Sequence, residues 1–220
     1  MDPVWVSQTT FASIVVQALV GIVDIYGTML KVPPREEVLI DVLKIETLVQ
    51  TVQFAMYIYI YKKMVLSTMA VDRYKDWFIS TPLMLFTTML YFSYNRTKEK
   101  ITITSFVKQN QKVILQILFF NFLMLLFGLL GELNYISLTK ATTLGFMAYG
   151  VSFYLVYKHF VEGVPQNKPL FNFFALIWGL YGVVYWLPVV EKNVAFNGLD
   201  ILAKNFFGIY LFYLVYKVKI

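Results

Sequence analysis

Long apolar runs, each about as long as a bilayer requires, recur along this 220-residue chain, and the short stretches between them hold most of its charges. A hydrocarbon core of about 30 Å takes roughly 20 apolar residues of helix to cross. Reading the runs against charged or proline-containing breaks gives seven candidate spans, at about 8–30, 38–61, 70–94, 112–131, 137–160, 169–189 and 196–217. Backbone polar groups in lipid must be satisfied within the protein, and a helix does this inside one segment. The expectation is an all-α membrane protein: one seven-transmembrane-helix bundle over residues 1–220, with connections too short to hold a further domain. The breaks carry turn chemistry, as in Lys31-Val32-Pro33-Pro34-Arg35, the polar stretch Asn95 to Gln111, and Gly163 to Pro169.

Composition narrows the function classes. Apolar residues make up 59% of the chain, against roughly 45–50% in soluble domains. Charged residues are only 15%, where about 25% is ordinary. A soluble enzyme and a nucleic-acid binder are thereby excluded. The net charge of +6 is read as the basic bias of cytoplasmic loops facing anionic lipid. With no cysteine, disulfides, thiol catalysis and thiolate metal sites are absent, and no metal site is expected. Met1 to Thr10 is acidic or neutral and runs straight into an apolar stretch, so the first span is read as retained rather than cleaved.

Orientation follows from lysine and arginine. One set of breaks, with the C-terminus, holds Lys31, Arg35, Arg96, Lys98, Lys100, Lys108, Lys112, Lys158, Lys168, Lys217 and Lys219; the other holds Lys62, Lys63, Lys140 and Lys192. The positive-inside rule then puts the N-terminus outside and the C-terminus in the cytoplasm. His159 falls at the cytoplasmic end of the fifth span and reads as a solvated loop residue.

Ionisable residues inside a span carry an insertion penalty of roughly 2.5–3.5 kcal/mol each, so each asks for a partner and a purpose. The third span opens Asp72-Arg73-Tyr74-Lys75-Asp76-Trp77, and helical spacing puts Arg73, Asp76, Ser80 and Thr87 on one face. The last span places Asp200 and Lys204 four apart, with Asn197 a turn before. Two acids and two bases sum to zero, which fits a structural ion cluster. A desolvated lysine in mid-span also fits covalent imine chemistry with a carbonyl compound. An imine kept protonated there needs carboxylate counter-ions, and Asp76 and Asp200 are available. Light absorption is one use of such a group.

These segments resemble the microbial rhodopsins. Arg73-Tyr74-Lys75-Asp76-Trp77-Phe78-Ile79-Ser80-Thr81-Pro82 is similar to their third-helix motif, and Leu199-Asp200-Ile201-Leu202-Ala203-Lys204 to their retinal-lysine motif. Leu48-Val49, Phe54 and Met56-Tyr57 resemble the second helix, and Trp178, Tyr181 and Tyr185 the sixth-helix aromatics around the retinal ring. The resemblance implies all-trans retinal covalently bound to Lys204, with Asp76 as primary counter-ion and proton acceptor, Asp200 as second counter-ion and Arg73 on their outer side. It implies that Tyr57 bonds Asp200, that Trp77, Trp178 and Tyr181 clamp the polyene, and that Ser80, Thr81, Met84 and Tyr185 complete the pocket. Tyr185 and Phe146 fit plain packing equally well. Gly182 stands where the family often has proline, and Tyr185 where tryptophan is common. Asp72-Arg73-Tyr74 also matches a tripeptide of G-protein-coupled receptors, but there it ends the third helix at the cytoplasm, whereas here it begins the span on the outer side.

Transport direction rests on fewer residues. The family's internal proton-donor position, eleven residues beyond Asp76, is Thr87, which cannot supply a proton at neutral pH. Glu46 is the substitute on offer, unless it forms an interfacial pair with Lys44. Asn205 after the lysine resembles the Lys-Asn pair of channelrhodopsins, whose central gate joins that asparagine to a first-helix serine and a second-helix acid. Ser13 is available for the first, while Gln53 occupies the acid's usual place and Glu46 lies two turns further in. Polar groups along a pore without strong donors and acceptors favour passive conduction. Small size, short loops, Glu46 and Asn205 together resemble the viral rhodopsins of giant algal viruses, implying a light-gated cation channel with Ser13, Glu46, Gln53, Thr87, Asn197 and Asn205 along its path. The alternative is a light-driven outward proton pump with Glu191, in the external loop before the last helix, aiding release. A sensory rhodopsin is a third class, for which the sequence offers no transducer-docking segment. No enzyme activity is expected; the partners are retinal, the lipid bilayer, small cations or protons and a possible homo-oligomer, with no nucleic acid.

Overall fold

Helix is the only regular structure among residues 2–220, which the computed structural model describes. The seven helices are α1 (Val4–Thr28), α2 (Glu37–Lys63), α3 (Leu66–Arg96), α4 (Ile103–Glu132), α5 (Leu138–Val156), α6 (Lys168–Val184) and α7 (Val189–Val218). Only two residues separate α2 from α3. Met64 makes that reversal possible by taking a left-handed backbone, φ 40°, with its N–H donating to the Ile60 carbonyl at 2.8 Å. Such a tight connection forces antiparallel neighbours.

Two helices contain a wide, π-type turn. The end of α5 winds this way over Tyr157–Val161, and α7 does so over Ile201–Asn205, where the Phe206 N–H donates to the Ile201 carbonyl. Single π turns inside an α-helix occur often at functional sites. The one in α7 carries Lys204.

Around an apolar core, the surface is apolar where a water-soluble protein's is polar, and polar side chains are turned inward. Leu19, Ile22, Leu115, Phe119, Met147 and Tyr154 face outward, while Gln17, Asp24, Glu46, Gln53, Arg73 and Asn197 are buried. Lipid is as apolar as leucine, so apolar side chains gain nothing by turning inward and polar ones must. The chain is an integral, multi-pass membrane protein. α1, α4 and α7 are long and apolar enough to reveal this by hydropathy alone. α2 and α3 are harder to see because their inner faces are polar. α3 is buried at close intervals from Met69 to Phe92 and forms the axis on which α2, α4 and α7 pack.

Three boundaries differ from those expected. The fourth helix starts at Ile103 rather than about 112, because Thr102 caps it: its side chain accepts from the Ser105 N–H at 3.1 Å, and Ser105 reciprocates. The polar stretch after Arg96 is thus largely helix extending past the apolar part. The sixth helix ends at Val184, and Pro188 precedes a seventh helix that begins seven residues earlier than expected, at Val189. Hydropathy marks where lipid begins, not where helices end. Asn193 falls in the expected loop, yet like Asn197 it is buried against Arg73.

Candidate functional site

The centre of the bundle holds a four-ion cluster built by α3 and α7. Lys204 Nζ ion-pairs with Asp76 Oδ2, and Asp200 Oδ1 lies 3.8 Å away. Arg73 Nη1 reaches Asp200 Oδ2 at 3.2 Å. None of these side chains is more than 3% exposed. Buried charges persist only when paired and hydrogen-bonded, and the sum of the four is zero.

The two carboxylates differ in their surroundings. Asp200 accepts four hydrogen bonds: from Tyr57 (2.6 Å) and Arg73 (3.2 Å) on Oδ2, and from Tyr181 (2.7 Å) and the Trp77 indole (3.3 Å) on Oδ1. Asp76 has Lys204 on one oxygen, while Oδ1 is buried without a partner, as is the nearby Ser80 hydroxyl. A carboxylate with four donors has little lone-pair capacity left, whereas Asp76 keeps a free oxygen to take a proton. Arg73 is held by Tyr57 (2.8 Å), the Asn197 side chain (2.5 Å) and Asn193 (3.4 Å), with its guanidinium 5.1 Å from the Tyr57 ring centroid.

A cavity opens off Lys204 and runs among α3, α4, α5, α6 and α7. Of the residues expected to hold retinal, Trp77, Thr81, Met84, Trp178, Tyr181, Tyr185 and Lys204 line it. Ser80 and Tyr57 do not; they lie behind Asp76 and Asp200. Trp77 packs edge-on against Tyr181 and Phe196, at 5.4 and 5.1 Å between centroids. The Tyr185 hydroxyl donates to the Gly128 carbonyl at 2.8 Å, and the Asn121 amide to the Thr81 hydroxyl at 2.9 Å. Phe146 also lines the cavity and fills the space beside Gly182, where a Cβ would come within 2.5 Å of its ring. An amine at one end of an apolar cavity, paired to a carboxylate with a spare oxygen, fits a long apolar aldehyde such as retinal.

A second polar feature runs beside this cavity. Thr10, Ser13, Gln17 and Asp24 share one face of α1, and Glu46, Gln50, Gln53 and Tyr57 one face of α2; all are buried. Against α7 they form a polar file. Asn197 donates to Thr9 (2.8 Å) and Thr10 (3.0 Å), the Ser13 hydroxyl donates to the Asn197 carbonyl (3.4 Å), and Asn205 donates to Gln50 (2.9 Å). The Thr87 hydroxyl donates to Glu46. Both polar atoms of Gln17, Gln53 and Asp24, together with Glu46 Oε2, have no partner among the described residues.

Several expectations are corrected here. Ser13, Glu46 and Asn205 make no hydrogen bond to one another; they bond to the Asn197 carbonyl, Thr87 and Gln50 respectively. Helix rotation, which spacing along one helix does not reveal, decides this. Lys44 is exposed and pairs with Asp41 at 3.5 Å rather than with Glu46, which faces inward. Glu191 lies in the first turn of α7 rather than in a loop. Sequence reasoning passed over Gln17, Asp24, Gln50 and Asn193. The rule that flagged Asp76 and Lys204, an ionisable group within a span, applies equally to Asp24.

The bacteriorhodopsin-like protein family model matches residues 6–218. The chain belongs to that family. It is a microbial rhodopsin, and membership implies a retinal chromophore. This rhodopsin is similar to the crystal structure of viral rhodopsin OLPVRII, with TM-score 0.87, 27% identity and 98% and 99% of the two chains covered. A blue light-absorbing proteorhodopsin from Med12 (TM-score 0.76, 19% identity, 97% of each chain) shares the fold. So does the proton-pumping rhodopsin AR2 from the marine alga Acetabularia acetabulum (0.75, 19%, 97% and 95%). No curated protein matches the rhodopsin's sequence.

Proposed function

We propose that this rhodopsin is a light-gated cation channel whose retinal is bound covalently at Lys204 Nζ. The N-terminus then faces outward and the C-terminus the cytoplasm. The observation that carries the reading is the polar file between α1, α2 and α7, which runs from Thr10 past Ser13 and Gln53 to Asp24 and leaves many buried polar atoms unpaired. Buried polar groups demand partners, and water threading the file supplies them. A hydrated line of amides and hydroxyls, with the Glu46 and Asp24 carboxyl groups along it, conducts cations passively.

Bound retinal supplies visible-light absorption and an isomerising polyene. Lys204 Nζ holds the proton in the dark, stabilised by Asp76 and Asp200. Asp76 accepts that proton, because Asp200 is already saturated with donors. Losing the Lys204–Asp76 ion pair frees the wide turn of α7 to shift, and the Asn205 bond to Gln50 carries the movement into the file. Trp77, Trp178 and Tyr181 keep the cavity dry.

Photocurrent recorded against voltage in two bath compositions tests the reading. A reversal potential that tracks the cation gradient is expected; current that stays outward at every voltage would sink the channel. Asp76→Asn should shift absorption to the red by removing counter-ion charge, and an unchanged spectrum would transfer that role to Asp200.

One contact favours an outward pump as the second reading. Glu46 touches Thr87, so a carboxyl lies at the donor position even though the residue there is a threonine. Glu46→Gln separates the two. A channel loses current or selectivity, whereas a pump that has lost its general acid returns the proton to Lys204 about 100-fold more slowly.

A further inference from the structure

We propose that Asp24 and the side-chain amide of Gln50, packed together at Gly208, form a binding site for a monovalent cation near the C-terminal end of the polar file. Its use in conduction rests on the channel reading; its existence as a site does not.

Asp24 is 0% exposed, one turn from the end of α1. Neither carboxylate oxygen has a hydrogen-bond donor among the described residues. A carboxylate withdrawn from water with no compensating partner is strongly disfavoured, so this group holds either a proton or a bound cation. The Gln50 amide lies beside it with Nε2 unpaired. Gly208 of α7 leaves room for both. A Cβ there would overlap Asp24 Oδ2 and stand 3.1 Å from Gln50 Nε2. An amide turned over presents its oxygen in place of its nitrogen, giving a carboxylate and a neutral oxygen facing one small gap; Asn205, whose Oδ1 is unpaired, turns with it and keeps their bond with donor and acceptor exchanged. Oxygen donors of low total charge suit a hard cation. No cluster of three acidic, histidine or cysteine ligands occurs among the described residues, so the ion held is monovalent rather than a tightly bound divalent or transition metal. Gln50 is tied to Asn205, which closes the same wide turn that carries Lys204. The site is therefore connected to the photoactive lysine through one hydrogen bond.

Two measurements test this on the full chain. In the purified protein kept dark, exchanging sodium for N-methylglucamine should shift an infrared carboxylate band that is absent from Asp24→Asn. If no band responds, the site does not exist, whether or not the protein conducts. In cells supplied with retinal, Asp24→Asn should cut the photocurrent about tenfold and change the sodium-to-potassium permeability ratio, with the visible spectrum unchanged. Unaltered current and ratio would overturn the site's part in conduction. If Asp24→Asn does not fold, Gly208→Ala displaces the carboxylate instead and should give the same loss. If the wild type itself gives no reversing current, the channel reading falls and the infrared result alone decides the site.

Discussion

Lys204→Ala is expected to leave a colourless protein. Lys204 is the only amine among the side chains on the cavity wall, and every other side-chain group there that forms hydrogen bonds is a hydroxyl, an indole or a carboxylate. No side chain within the cavity can replace it in condensing with an aldehyde. The alanine variant also leaves Asp76 without its ion-pair partner, so removing the charge from both positions, as Lys204→Ala with Asp76→Asn, should recover folding without recovering colour. Absorption spectra of protein purified with added all-trans retinal decide the matter. A visible band near the wild-type position in the single variant would refute covalent attachment at Lys204 and the photochemistry built on it.

The second large effect belongs to stability. Arg73→Ala should destabilise the bundle by about 3–5 kcal/mol, the range for breaking a buried ion pair from one side. The guanidinium engages Asp200, Tyr57, Asn193 and Asn197 at once, which joins α2, α3 and α7. Its loss leaves the Asp200 charge with two hydroxyls, an indole and, at 3.8 Å, the Lys204 ammonium it shares with Asp76. Arg73→Lys keeps the charge but not the planar fork, and should fall between wild type and alanine. Thermal unfolding in detergent, compared among the three proteins, measures the order. Equal midpoints for alanine and wild type would mean that the arginine is dispensable to the packing.

Much of this site is legible in the sequence because charges within apolar runs stand out. Arg73, Asp76, Asp200 and Lys204 are visible on that ground alone, and motif spacing adds the aromatics. The polar file is less visible. Gln17, Gln50 and Asn193 are uncharged, and a neutral amide in a span reads as helix-to-helix glue. Their meaning depends on the rotation of α1 and α2 about their own axes, which sets which faces meet. The same rotation moves Glu46 from an interfacial pair with Lys44 to a contact with Thr87. Helix ends are legible only where a cap or proline marks them, as Thr102 and Pro188 do.

The wide turn at Ile201–Asn205 changes what a single rod can face. An α-helix advances about 100° per residue, and a turn with one residue too many sets everything beyond it back by roughly that angle. Before the turn, Asn193, Asn197 and Asp200 point to Arg73. At its end and beyond, Asn205 and Gly208 point to Gln50 and Asp24. The turn is a phase shift, and α7 meets the polar file on both sides of the reactive lysine, through Asn197 before it and through Asn205 and Gly208 beyond it.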